Sequence, residues 1–191
     1  MTLPASIPMS EKNAIASLGY WIKNNIIQVG EKLVEQTYEQ VQAPFPVFAY
    51  TQRPIPDLGP TAFDDYLGRG STGVDQFGGF FQFMVEFNLV AALTDSVRDA
   101  QRRVYQMRER LRYGLYYSGQ LDSSNNPVMP NIQLMDFDTN SSSPTATGGY
   151  LWWPSEESNT WMESPLMADS ADPQKKRIQI MCRFRYTAVR P

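Results

Sequence analysis

The chain has 191 residues, 42% of them hydrophobic, a net charge of −3, no histidine and one cysteine. That suffices for one hydrophobic core and is too short for two independent ones. Without histidine or paired thiols it lacks the side chains that most proton-transfer and zinc sites use, and the lone Cys182 excludes an intrachain disulfide framework.

In chain order, residues 1–10, with Pro4 and Pro8, read as a flexible arm and residues 11–191 as a single domain. The opening "MTLPASIPMSEKNA" has no basic start leading into an apolar run, and no apolar stretch reaches membrane-spanning length. A soluble protein with no membrane partner is therefore expected. Ser10 stands where a helix cap would. Ile15, Leu18, Ile22, Ile26, Val29 and Leu33 recur at helical spacing, which predicts a long first helix reaching about Val41. Gly19 and Gly30 mark a bend or close packing within it, and Pro44 and Pro46 stop it. "PVFAYTQ" follows as a short strand. Residues 53–79 then form a long connection rich in Pro, Gly and Asp, with Phe63, Tyr66 and Phe77, and read as a loop that orders against a partner.

From Gly78 to Leu93 the chain alternates: Phe81, Phe83, Val85, Phe87, Leu89 and Ala91 fall on one side, and Gln82, Glu86 and Asn88 on the other. The period then changes, and Val97, Ala100, Val104, Met107 and Leu111 recur every three or four residues, after Thr94, Asp95 and Ser96 as cap oxygens. This predicts a long strand leading into an amphipathic helix. "IQLMDFDT" reads as another strand, residues 139–174 as a second long loop excursion, and "KKRIQIMCRFRYTAV" as a last strand. In that strand Ile178, Ile180, Cys182, Phe184 and Tyr186 oppose Arg177, Gln179, Met181, Arg183 and Arg185. The economical fold is a single α+β domain with two helices packed on one face of a mostly antiparallel sheet. The other face is left polar, for water, a lumen or a neighbour.

Charge is unevenly spread. Residues 54–96 hold six acids and one Arg, and residues 113–174 hold eight acids and no base. Residues 97–112 hold six Arg and two acids, and the last 17 residues hold six bases and no acid. Such segregation suits a subunit that places an acidic surface against a basic surface of its neighbour. The chemistry of catalysis is thin by comparison. "YLGRGSTGVD" has glycines but neither a phosphate-loop lysine nor a preceding strand, and no GxSxG or HExxH occurs. The adjacent pairs Asp64–Asp65 and Glu156–Glu157 point apart on an extended chain, and all four read as loop residues. No catalytic, metal or cofactor-binding residue is assigned, no cofactor is implied, and a non-enzymatic protein is expected. The arginines at 98, 102, 103, 108, 110 and 112 wrap most of the polar side of one helix, which favours a solvated face over specific nucleic-acid reading. Met, Arg and aromatic enrichment, including Trp152, Trp153, Trp161, Tyr116 and Tyr117, is the composition of contact surfaces. The interface candidates are Phe63, Asp64, Asp65 and Tyr66 on the acidic side and Arg177, Arg183 and Arg185 on the basic side.

The element order resembles a known family. A long N-terminal helix, "VFAY" as first strand, a loop, the long strand "FFQFMVEFNLVA", the helix "DSVRDAQRRVYQMRERLRYGL" and the last strand "KRIQIMCRFRYTA" are similar to the tail terminator proteins of long-tailed bacteriophages. The resemblance runs from about Glu11 to Ala188 and rests on pattern, with no short signature. It implies the order α-β-β-α-β-β and a structural virion protein, assembled in the host cytoplasm, located in the tail or neck. It also implies a homo-oligomer, six copies in a ring, that caps the tail tube protein and joins it to a head-side connector or stopper protein. Non-specific contact with DNA in the lumen would follow. The loops at 53–79 and 139–174 exceed what a minimal terminator needs, so another neck, connector or tube-related ring subunit is the alternative.

Overall fold

In the computed structural model, which describes residues 11–36, 45–53, 61–69, 75–92, 97–138, 140–155, 160–168 and 175–189, the alternating run around Phe81–Ala91 is one long strand. Two helices, α1 (Glu11–Asn25) and α2 (Val97–Tyr117), accompany nine strands among the described residues: β1 (Lys32–Glu35), β2 (Val47–Arg53), β3 (Thr61–Arg69), β4 (Asp75–Ala92), β5 (Ile132–Asp136), β6 (Thr145–Trp152), β7 (Trp161–Glu163), β8 (Met167–Ala168) and β9 (Lys175–Val189). The sheet runs β1-β2-β4-β9-β6-β5. β2 and β3 share one edge of β4, whereas β6, β7 and β8 share the far edge of β9. Every pairing is antiparallel except β1 with β2. The α+β fold with helices on one face is thus realised. No helix is long and apolar enough to cross a membrane among the described residues.

β4 and β9 pair from Gly78↔Val189 to Ala92↔Lys175. Opposed residues share a face, so the pairs Phe83–Phe184, Val85–Cys182, Phe87–Ile180 and Leu89–Ile178 form one buried row. Phe48 and Tyr50 of β2 extend it. Onto that row α2 lays Ala100, Val104, Met107, Leu111 and Leu115, and α1 lays Ala14, Ile15, Leu18 and Ile22. A second line on α1, Asn13 and Ser17, meets the outer edge of β5. Ser17 Oγ accepts from the Met135 amide at 2.8 Å, Asn13 Oδ1 accepts from the Phe137 amide at 3.3 Å, and Trp21 Nε1 donates to the Pro130 carbonyl at 3.0 Å. The first two contacts occupy backbone donors at the sheet edge that would otherwise solicit another strand.

Three expectations need correction. The first helix stops at Asn25, not near Val41: Gly30 takes a φ of 87°, Val29 is fully exposed, and Leu33 belongs to β1. The stretch 53–79 contains β3 and the start of β4, and the stretch 139–174 contains β6, β7 and β8, so neither is a bare loop. The bare α-β-β-α-β-β order is correspondingly enriched in strands. The arm 1–10, the cap residues 94–96 and Glu156–Glu157 lie outside the described residues.

Gly19 marks close packing. A Cβ there would run into the phenol ring of Tyr50, so α1 sits on β2 at a distance only glycine permits. Gly19→Ala should destabilise the protein by about 1–3 kcal/mol despite the gain in helix propensity, and Tyr50→Phe in the same chain should return part of the loss. Thermal unfolding of the two variants checks this; a Gly19→Ala protein as stable as wild type would contradict the packing.

Candidate interaction surface

Two surfaces carry the polar chemistry: the outer side of α2 and the sheet face away from the helices. On α2 the six arginines divide. Arg110 forms an ion pair with Glu31, donates to the Ile26 carbonyl at 3.4 Å and stacks over Phe48 at 5.8 Å. It fastens α2 to the turn after α1. Arg108 pairs with Glu163 of β7 at 2.9 Å and with Glu109, and Arg112 lies over Trp161 at 6.0 Å. These three are structural. Arg98, Arg102 and Arg103 are exposed and form no ion pair among the described residues. Arg98, Gln101, Arg102, Tyr105 and Gln106 line a shallow open groove beside Gln28, continuing to Glu109 and Arg110. The expected solvated face holds for Arg98, Arg102 and Arg103, whereas Arg108, Arg110 and Arg112 are engaged by other elements of the fold.

The sheet face away from the helices is less exposed than its residue types imply. Met84, Glu86, Asn88 and Val90 of β4 are buried there with Val47 and Ala49 of β2. Glu86 is 3% exposed and holds two partners: Arg53, whose Nε and Nη2 each approach Oε2 at 2.6 Å, and Asn88, whose Nδ2 donates to Oε1 at 2.7 Å. Burying a carboxylate without such partners would cost several kcal/mol, on the order of the stability of a small domain. Two atoms on this face, Asn88 Oδ1 and Arg183 Nε, are buried without a hydrogen-bond partner among the described residues.

The basic interface candidates occupy the same face of β9. Arg177, Arg183 and Arg185 are half-buried rather than a free row. With its amide oxygen turned toward Arg185, Gln82 accepts hydrogen bonds from Nε and Nη2 at 3.2 Å each, and Arg177 Nη2 lies 3.8 Å from the Met167 sulfur. Phe63, Asp64, Asp65 and Tyr66 fall on β3, with Asp65 opposite Gly78 and Tyr66 opposite Phe77. Arg185 lies opposite Gln82, so Asp65 is about 13 Å away along β4 and on its other side. One chain does not bring the acidic and basic candidates together.

Of the aromatic anchors, Trp153 and Trp161 turn inward. They meet edge to face at 5.7 Å, and Trp153 Nε1 donates to the Thr160 carbonyl at 3.1 Å. Tyr113 and Tyr116 stay about half exposed on α2, grouped with Tyr117. Burial drives the Cys182 thiol well above its usual range and, with the Glu11 carboxylate adding to it, pushes Tyr186 up to about 12. Neither is poised for reaction. Among the described residues no three His, Cys, Asp or Glu side chains gather into a metal site. The paired role of Arg53 and Glu86, which are 33 residues apart, had no sequence signal of its own; only the strand register joins them.

Compared with known proteins, the chain matches no family model and no curated sequence.

Arg53→Ala should cost about 1–2 kcal/mol, the low end for a buried carboxylate because the Arg53 side chain is itself part-exposed, and Glu86→Gln in that background should recover part of it. Chemical denaturation of the single and double variants reads the coupling. Additive losses would show that the pair does not act as a unit.

Proposed function

We propose that this chain is a structural subunit of a ring in a bacteriophage particle, terminating the tail tube and joining it to the head-side connector. Another neck or tube-related ring subunit is the same reading at coarser grain. The observation that carries it is the architecture: two helices on one face of a mostly antiparallel sheet, with the long strand leading into the arginine-rich helix and a long strand closing the chain. Those are the elements on which the family resemblance rests.

Physical features support an assembling role. Opposite charges are held in separate elements of one chain, three α2 arginines lack intrachain counter-ions among the described residues, and exposed tyrosines stand on the same helix, Tyr105 beside those arginines and Tyr113 and Tyr116 toward its end. Each is available to a neighbour on a subunit whose core is already complete. The role proposed is structural, without catalysis or a cofactor, with a tail tube protein and a head-side protein as partners and DNA passing in the lumen.

Native mass spectrometry or sedimentation at micromolar concentration, with and without purified tails, tests the reading. A discrete closed oligomer of six copies is expected in at least one condition. A protein that stays monomeric in both would sink it.

A further inference from the structure

The free arginines of α2 sit at the wrong end of their own helix. A helix start carries partial positive charge and favours acids, whereas its end favours bases. α2 has one acid in its first turn, Asp99, but sets it among Arg98, Arg102 and Arg103 in the first two turns and has no base in its last. Arg98, in the first turn, stands against the helix dipole, and Arg102 and Arg103 add positive charge one turn on. No carboxylate among the described residues pairs with them. Tyr105, 41% exposed, adds an apolar plate to the same groove. Helix start, guanidinium groups and groove all favour one kind of occupant: an acid-bearing segment.

Such a segment lies at the other end of the sheet. Residues 54–79 hold four acids and one base, and β3 carries Asp64 and Asp65 where it pairs with the beginning of β4. This three-strand part, β3-β4-β9, extends six residues along β4 beyond Phe81, where the described core row begins. α2 starts five residues after β4 ends, so Arg98 lies within about 20 Å of Ala92. Asp65 is opposite Gly78, fourteen residues and about 45 Å back along the same strand. An ion pair needs about 4 Å, so the two ends of one chain cannot meet. Two copies placed head to tail bring them together, and a heterologous contact of this kind closes into a ring when the rotation between copies allows it.

We infer that the Arg98–Arg102–Tyr105 face of α2 receives the Asp64–Asp65 extension of a second copy of this chain, an inference that rests on the ring reading above. The β9 arginines are the poorer receiver, because Arg185 is already engaged by Gln82, Arg177 packs against Met167 and Arg183 is half-buried with its Nε shut off from the surface. Nucleic acid would also be drawn to three arginines. The acidic extension is preferred because its charge, reach and position at the opposite end of β4 are built into the same chain.

Cysteine pairing on the full chain tests this, with buried Cys182 out of competition. Arg102→Cys protein is mixed with Asp64→Cys or Asp65→Cys protein under mild oxidation. A disulfide-linked dimer in the mixture, well above either variant alone, is the expected result, and a chain carrying both cysteines should give a ladder that stops at the ring's copy number. In parallel, R98E/R102E should weaken association about tenfold or more while leaving Tm unchanged or higher, since acids suit a helix start. That combination separates a lost contact from a damaged fold. A closed oligomer with no cross-link in any mixture, and with R98E/R102E assembling like wild type, overturns the inference and leaves the ring. A ladder that grows without closing keeps the head-to-tail contact and removes the ring. A monomer with no cross-link, alone and with tails, removes both. Salt-sensitive retention of a DNA duplex that R98E/R102E abolishes, with assembly intact, assigns the face to nucleic acid and overturns the inference.

Discussion

The pairing of β4 with β9 governs the other elements, because it fixes what each face of the sheet is made of. Side chains alternate along a strand, so a slip of one residue between these two strands would turn one of them over and send its whole apolar set to the wrong face. In the observed register Phe83, Val85, Phe87 and Leu89 lie beside Phe184, Cys182, Ile180 and Ile178, giving the helices an unbroken apolar floor. The same register sends Glu86 and Asn88 to the other side, where Arg53 of β2 supplies the counter-charge. Slippage would put Glu86 under α2 if β4 turned over, or Arg183 if β9 did, in either case a charge without its partners. The polar residues of the second face thus defend the register as much as the apolar ones promote it.

Around that pair, the remaining elements are tied by a few specific contacts. α1 is held on its apolar side by the core and on its polar side by Asn13 and Ser17, which occupy amides of β5 and the residue after it. Gly19 lets it approach Tyr50, and Gly114 lets α2 approach Trp21 and Ile26. Arg110 bridges α2 to Glu31 and Arg108 bridges it to Glu163, so α2 is anchored at both flanks. The arginines left over at its start form no such bridge among the described residues.

Much of this was legible in the sequence wherever a residue's fate follows from periodicity. Of the stripe Val97, Ala100, Val104, Met107 and Leu111, the last four are buried and the Val97 side chain lies outside the description; Ile178, Ile180, Cys182, Phe184 and Tyr186 are buried as well. Where neighbours decide, sequence was a poor guide. Val29 and Leu33 continue the helical spacing of α1, yet the left-handed Gly30 ends the turn and Leu33 enters a strand beside β2. β3 reads as a loop because Pro, Gly and Asp surround it, but the free edge of β4 recruits its backbone. β7 and β8 span three and two residues, too short for any pattern, and exist because the far edge of β9 offers hydrogen bonds. The interaction surface was legible as charge imbalance only. Which arginines are engaged internally depends on Glu31 and Glu163, distant in sequence and adjacent in the fold.

Among the described residues the core is filled by the chain's own side chains, and the proposed role of its separated charges is to meet neighbouring copies. A structure of the assembled particle by electron microscopy reads this most plainly, through the distance between the arginines at the start of α2 and the carboxylates of the adjacent copy. The expected result is a closed ring in which Arg98 or Arg102 stands within about 4 Å of Asp64 or Asp65 of the next subunit. A ring in which both arginines face solvent or DNA, with β3 of the neighbour elsewhere, would contradict it.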